Sequence, residues 1–188
     1  MDEIKKNNII LVGPIRTGKS TIGKILSEKL KLPQLSIDKV RFDYYREIGY
    51  DEKFADFINK NFGFWALYFY WGEFECYSVE RIIEENKNSV IDFGAGHSVY
   101  ENKNQLNRVK NSLKGNIVIL LLPSMDVDES FEILCKRREI QPDEKDINLH
   151  FLKNSSNKEL ANFTVYTKNK TPDETCEEIV FLIKNMAV

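Results

Sequence analysis

The sequence predicts an α/β fold, a parallel sheet covered by helices on both faces, on three observations. Five short apolar runs, at 8–12, 34–37, 89–93, 116–122 and 163–167, alternate with longer stretches of helical pattern. Each run is bounded by Gly, Pro, Asn or Asp, and most are β-branched or Leu-rich, as strands buried on both faces are. No internal repeat, low-complexity tract or Pro/Gly/Ser-rich linker divides the 188 residues, so one domain over 1–188 is expected.

The helical stretches follow in order at 19–30, about 39–86 in several pieces, 103–113, 126–138, about 147–160 and 172–184. The last opens with Thr171-Pro172-Asp173-Glu174, a cap, a proline in the first turn and acids near the positive end of the helix dipole. In parallel sheets ligands sit at the carboxyl ends of the strands, so the informative residues are expected just after each strand.

Composition narrows the class. Hydrophobic residues make up 42% and charged residues 30%, an ordinary globular balance. Twenty-seven Lys and Arg against 29 Asp and Glu give a net charge of −2, which supports neither a nucleic-acid coat nor a membrane-surface patch. The longest apolar run, 117–122, is too short to span a bilayer. The N-terminal MDEIKKNNIILVG has no cleavage pattern, so no signal peptide is expected. Three cysteines without C-x-x-C spacing and two histidines give no structural zinc signature, and a reducing cytoplasm is the expected compartment.

After the first strand the chain reads Gly13-Pro14-Ile15-Arg16-Thr17-Gly18-Lys19-Ser20-Thr21, a full match to G-x-x-x-x-G-K-[ST] between strand and helix. The glycines let the loop curl so that successive N–H groups face phosphate oxygens. The following helix adds its N-terminal dipole. Lys19 supplies a mobile charge to the β and γ phosphates, and Ser20 a hydroxyl for Mg²⁺. Nucleotide binding at residues 13–21 is therefore expected, although the loop alone does not distinguish a kinase from a GTPase or a motor.

The next strand ends decide the class. Asp38 follows the second run, where a carboxylate orients and deprotonates an acceptor hydroxyl facing the γ-phosphate; the other reading is a helix N-cap. The third run, Ser89-Val90-Ile91-Asp92, ends in an acid of Walker B type, either a Mg²⁺ partner or an acid satisfied within a turn. Gly94, Ala95 and Gly96 let an acceptor approach the backbone, and His97 just after them either touches the acceptor or, on the blander reading, is an exposed loop residue. Arg137 and Arg138 end a helix and open a polar stretch, 139–146, which reads as a lid that brings guanidinium over the triphosphate, or as compensation of the helix dipole. Some fifty residues between the second and third strands exceed a simple crossover and read as an inserted acceptor-binding region. Within it Phe62, Phe64, Trp65, Tyr68, Phe69, Tyr70, Trp71 and Phe74 suit an aromatic pocket wall, packing of a helical subdomain, or a dimer contact.

With these residues in place, the chain resembles the shikimate kinase group of small P-loop kinases, kin to gluconate and nucleoside-monophosphate kinases. Residues 18–33 look like that family's first loop and helix, and 160–174 like its last strand and helix, where adenine is cradled. The resemblance implies the three-layer P-loop NTPase fold with a five-stranded parallel sheet, an acceptor-binding helical region at about 39–87 and a lid at about 137–147. Arg137 falls on the family's lid arginine, which favours function for it. The departures concern the acceptor. Arg16 stands where the family has glycine, and Ser36-Ile37-Asp38 where it has Asp-x-Asp, so that only the acid facing the acceptor survives. The family's Phe-Arg aligns with Phe74-Glu75, its triple glycine with Gly94-Ala95-Gly96, and a later arginine with Lys153. Shikimate is a carboxylate and needs guanidinium partners, so these losses argue against it.

The expectation is an ATP- and Mg²⁺-dependent small-molecule kinase, monomer or homodimer, that transfers the γ-phosphate to a hydroxyl or phosphate acceptor. Lys19, Asp38 and Arg137 are the expected catalytic residues. Residues 13–21 and Arg137 hold nucleotide, Ser20 and Asp92 hold the metal, and Asp38, Gly94, Ala95 and Gly96 meet the acceptor. The alternatives are a non-catalytic ATP-binding sensor, which the eroded acids and arginines would suit, and a nucleotide hydrolase, which the lack of a water-positioning Gln or Glu beside Asp92 disfavours.

Overall fold

The computed structural model describes residues 7–186. β1 (Ile9–Val12) lies at the centre of a five-stranded sheet, with β3 (Val90–Asp92) on one side and β4 (Ile117–Leu122) on the other. β2 (Gln34–Ser36) and β5 (Phe163–Tyr166) form the edges, giving the order β2-β3-β1-β4-β5, and every pairing is parallel. β1 is buried on both faces because its alternate side chains enter two cores. Ile9 and Leu11 meet Ile22 and Leu26 of α1 (Lys19–Leu30) and Ile179 and Ile183 of the C-terminal helix. Ile10 and Val12 join the opposite core, which collects residues of the helices between β2 and β5.

Those helices are α2 (Ile37–Glu47), α3 (Glu52–Glu85), α4 (Lys103–Ser112), α5 (Val127–Arg138), α6 (Ile147–Lys153) and α7 (Ser156–Leu160), and α8 (Pro172–Met186) ends the chain. The 39–86 stretch resolves into α2 and α3, and α3 is itself interrupted at Gly63, whose φ of 81° and ψ of 176° are not helical. The single helix expected over 147–160 is two. Asn154 adopts extended backbone at the end of α6 and its side chain accepts from the Ser156 N–H, which starts α7 afresh. α8 opens on a reciprocal cap: Thr171 Oγ1 accepts from the Glu174 N–H at 3.2 Å, and Glu174 Oε2 accepts from the Thr171 N–H at 2.7 Å.

One boundary moves a site residue. The second strand stops at Ser36, which is the N-cap, so Asp38 lies in the first turn of α2 and not at the strand end. Neither does Asp38 cap the helix, since the cap position is already occupied. Among the described residues no helix is long and apolar enough to cross a membrane.

Candidate active site

The loop from Gly13 to Gly18 joins β1 to α1, and Gly18, at the N-cap of α1, contributes no side-chain cap. The first-turn N–H groups therefore stay open to an anion. Arg16 sits at φ 68°, in the left-handed region that favours glycine, so the departure at this position is held by the loop and not by the residue's preference. Lys19 folds back on the loop, donating from Nζ to the carbonyl oxygens of Gly13 at 2.7 Å and Pro14 at 2.8 Å. Burial lowers its pKa to about 8, while the negative charges of Asp38 and Asp92 pull the other way. The ammonium is still charged at neutral pH and is aimed along the loop.

Ser20 and Asp92 come together as expected: Ser20 Oγ donates to Asp92 Oδ1 at 2.8 Å. The register of the sheet sets Ser36 beside Asp92, and Ser36 Oγ donates to the same oxygen at 2.9 Å. Gln34 Nε2 donates to the other oxygen at 3.1 Å. Asp92 is thus satisfied by side chains, with Ser36 standing as a neutral donor beside it. One carboxylate and one hydroxyl are hard oxygen ligands that suit Mg²⁺, an ion that keeps several waters and shares phosphates with its protein ligands. No group of three or more His, Cys, Asp or Glu side chains able to hold a metal occurs among the described residues.

Across the loop from Lys19, a chamber of about 280 Å³ is lined by Ile15, Lys19, Ser20, Asp38 and Ala95 among others. Asp38 therefore faces the phosphate loop from α2. Its Oδ1 is 3.6 Å from Arg41 Nη1, and the Arg41 guanidinium lies over the rings of Phe42 and Trp71. The short helical turn Ala95–Ser98 closes this side. A Cβ on Gly94 would stand 2.3 Å from Asp38 Oδ1 and 2.6 Å from His97 Nδ1, and one on Gly96 would stand 2.2 Å from Glu75 Oε1. The glycines are required because two carboxylates press on the turn from opposite helices.

His97 is fully buried, not an exposed loop residue. Nε2 lies 3.1 Å from the Tyr45 hydroxyl and Nδ1 has no hydrogen-bond partner. Burial, with Arg41 nearby, depresses its pKa to about 3, so the imidazole is neutral. Glu75 is 3% exposed, and burial raises its pKa to about 8. Arg41, Tyr45, Glu75 and His97 are therefore site-adjacent residues that the spacing of motifs did not single out. The signal available was the pair of glycines, since two glycines flanking one residue at a strand end imply bulky neighbours on both sides.

The second cavity, about 450 Å³, lies on the other flank of the loop, between Arg16, Thr17 and Thr21 and the segment that carries Thr167, Lys170 and Thr175. Its size and its position beside β5 and α8 suit a nucleoside. Arg137 lines it, and donates from Nη1 to the Arg16 carbonyl at 3.1 Å. Arg138 behaves differently from the lid expectation. Its Nη1 donates to both oxygens of Asp146 at 2.7 Å, which clamps the two ends of the 139–146 stretch together. A fully buried residue missed by sequence reasoning, Asn148 of α6, holds the phosphate loop itself. Its Oδ1 accepts from the Ile15 N–H at 2.8 Å and its Nδ2 donates to the Ile15 carbonyl at 3.1 Å.

The aromatic segment divides. Tyr68 is buried and Trp65 half-buried, both against His150, whereas Phe54, Phe57, Phe62 and Phe69 are each at least half exposed. The rings next to the turn thus pack the subdomain, and the N-terminal part of α3 carries the exposed ones.

A parallel α/β sheet with an open phosphate loop and two cavities sharing that loop has the architecture of an ATP-binding P-loop kinase. The model of the family described as shikimate kinase matches residues 16–184. The shikimate kinase of Sulfurihydrogenibium sp. (strain YO3AOP1) is 31% identical over 183 residues, covering 94% of this chain and 98% of that one. The chain belongs to the shikimate kinase family. Among solved structures, shikimate kinase from Acinetobacter baumannii in complex with shikimate superposes with a TM-score of 0.62 at 22% identity, covering 95% of this chain and 93% of that one. Shikimate kinase from Aquifex aeolicus vf5 gives 0.61 at 22% identity, over 96% and 98% of the two chains. At that identity the likeness concerns the fold.

Proposed function

We propose that this chain transfers the γ-phosphate of ATP to a small-molecule hydroxyl, and that its acceptor is not shikimate or a comparable carboxylate. The observation that carries the reading is the chamber in which Asp38 faces Lys19 and Ser20 across the phosphate loop. ATP lies with its base in the 450 Å³ cavity and its phosphates on residues 13–21. Lys19 leaves the carbonyls it now holds for the β and γ phosphates. Ser20 and Asp92 would hold Mg²⁺, which supplies charge neutralisation on the phosphate oxygens. Asp38 accepts the proton of the acceptor hydroxyl as the new O–P bond forms. The bond between the γ-phosphorus and the bridging oxygen breaks, and ADP leaves. Arg137 reaches the same phosphates from the end of α5. Catalysis is then mainly positioning and neutralisation. Region 39–87 shapes the acceptor side and 137–147 acts as the lid.

The case against a carboxylate acceptor rests on charge. Glu75 occupies the place where the family's substrate arginine aligns, Lys153 is exposed at the end of α6, and Asp38 adds a second acid. A carboxylate acceptor would meet the Asp38 carboxylate and, where it needs guanidinium, a glutamic acid that offers no cation.

The test is ADP release from Mg-ATP against shikimate, gluconate, nucleosides, nucleotides, and aminoglycoside and phenicol antibiotics. Stimulation by an acceptor other than shikimate, lost in Asp38→Asn while ATP binding persists, is expected. Turnover driven by shikimate would overturn the acceptor assignment. Intact γ-phosphate with every compound, in a protein that still binds ATP, would overturn the kinase reading in favour of a sensor.

A further inference from the structure

A third cavity, of about 180 Å³, opens on the α3 side of the Ala95–Ser98 turn, bounded by Tyr68, Phe69, Glu75, Tyr100, Glu101 and Gln105. No lysine or arginine lines it. The Glu75 carboxylate is buried, yet among the described residues it has neither a hydrogen-bond donor nor a cation within ion-pair distance. A buried acid left unpaired is costly, and here it borders empty space enclosed by tyrosine and phenylalanine rings. Glu101 adds a second, partly exposed carboxylate at the rim.

We propose that this cavity takes a protonated amine carried by the phosphoryl acceptor, with Glu75 as the residue that selects it. The proposal rests on the kinase reading above and narrows its acceptor to an amino alcohol. An ammonium supplies three donors and a charge to Glu75, and its attached carbons meet the aromatic faces of Tyr68, Phe69 and Tyr100. A neutral polyol brings no cation to draw Glu75 into its ionised form, and a carboxylate would add negative charge beside Asp38 and Glu101. The connection to the transfer site is the turn itself. Ala95 at its start lines the chamber that holds Asp38, and Val99 just after it lines the cavity that holds Glu75, so one molecule reaching past the turn presents its hydroxyl to Asp38 and its amine to Glu75.

Ammonium binding also moves a proton. Burial holds the Glu75 pKa near 8, so the carboxyl is largely protonated at pH 7 and must ionise to pair with a cation. The groups facing it are Asp38 and Arg41 of α2, Tyr68 of its own helix, His97, Tyr100 and Glu101 of the turn segment, and Gln105 of α4. His97 stays neutral, with a pKa near 3, and the two tyrosines stay protonated, with pKa values raised by burial, so none of the three supplies that proton.

The experiment uses 4-aminocyclohexanol, 1,4-cyclohexanediol and 4-hydroxycyclohexanecarboxylate, which share a ring and a hydroxyl and differ in the second group. Binding is measured by calorimetry without ATP, in two buffers of different ionisation enthalpy, with amide shifts of Gly96 and Tyr100 followed by NMR. The amine is expected to bind roughly tenfold or more tighter than the diol, with the carboxylate weakest, and to release close to one proton at pH 7. Glu75→Gln should bring amine and diol to within about twofold of each other. A diol or carboxylate that binds as well as the amine, or an amine preference that survives in Glu75→Gln, overturns the proposal. If the variant does not fold, proton release and Gly96 shifts in the unaltered protein decide it, and their absence with the bound amine overturns it. ADP release with the same three compounds is read separately. Amine selectivity without turnover counts against the kinase reading, and turnover without amine selectivity counts against this inference alone.

Discussion

Glu75 carries the largest electrostatic strain of any single carboxyl described here, and that strain has a pH signature. Its folded-state pKa of about 8 lies above the ordinary 4.5, so the native state binds the proton more tightly than the unfolded chain. The stability this contributes is fully present below about pH 4.5 and is lost as pH rises toward 8. Glu75→Gln keeps the shape and removes the ionisation. We predict that its melting temperature exceeds that of the unaltered protein at pH 8.5 and that the difference shrinks at pH 5. Equal differences at both values, measured by calorimetry, would mean that Glu75 is paired or solvated in solution. Arg16 offers a second test at this scale. At φ 68° it holds left-handed backbone that glycine adopts freely, so Arg16→Gly is expected to stabilise by about 1 kcal/mol, a rise of roughly 2–4 °C in melting temperature. No change or a loss in thermal unfolding would show that its side chain repays the backbone through contacts of its own.

At the scale of elements, α6 is the brace of the phosphate loop. Asn148 satisfies both polar groups of the Ile15 peptide from a fully buried position, and Arg138 to Asp146 ties the stretch before α6 back to α5. Asn148→Ala removes both side-chain hydrogen bonds to the Ile15 backbone, which costs about 1–3 kcal/mol. We predict that loss in denaturant unfolding together with a several-fold rise in KM for ATP and a smaller change in kcat. A stability loss with unchanged KM would reduce Asn148 to a packing role. This element also shows where legibility ended. The phosphate loop was readable because its chemistry is written in nine consecutive residues between a strand and a helix. The three inner strands were readable because burial on both faces leaves continuous apolar runs, whereas the partly exposed edge strands β2 and β5 were readable mainly from the turn residues that bound them. Asn148 and Arg41 were not, because each reaches the site from its own helix and neither sits in a motif; Glu75 was legible only as a departure from the aligned arginine and His97 only as a residue after the glycines, and their burial against the turn was not legible. His97 was assigned to an exposed loop since a Gly-rich neighbourhood usually is one; here the glycines exist because Asp38 and Glu75 crowd the turn. Asp38 was placed one element too early, since Ser36 ends the strand and caps the helix at once.

For the whole molecule, the sheet order places β1 between β3 and β4, so one loop after the central strand serves as the floor of both the cavity proposed for the nucleotide and the chamber proposed for the acceptor. Arg16, Gly18 and Thr21 line both. In the proposed pose ATP bridges α1, the end of α5 through Arg137, and the Thr167–Thr175 segment, adding to the contacts that already join them through the α1–α8 core and the Arg137–Thr167 hydrogen bond. A ligand that bridges them and binds only the native state stabilises the molecule by mass action, by about 2.7 kcal/mol at a hundredfold excess over Kd. For a chain of this length that is a rise of roughly 5–10 °C in melting temperature. We predict such a shift with a non-hydrolysable Mg-ATP analogue, its near-complete loss in Lys19→Ala, and its retention in Asp38→Asn. The three proteins separate the two cavities because Lys19 serves the phosphates and Asp38 faces only the acceptor chamber. A shift retained in Lys19→Ala would place the nucleotide elsewhere than the loop. A shift lost in Asp38→Asn would mean that the acid supports nucleotide binding itself, and its assignment to the acceptor hydroxyl would fall.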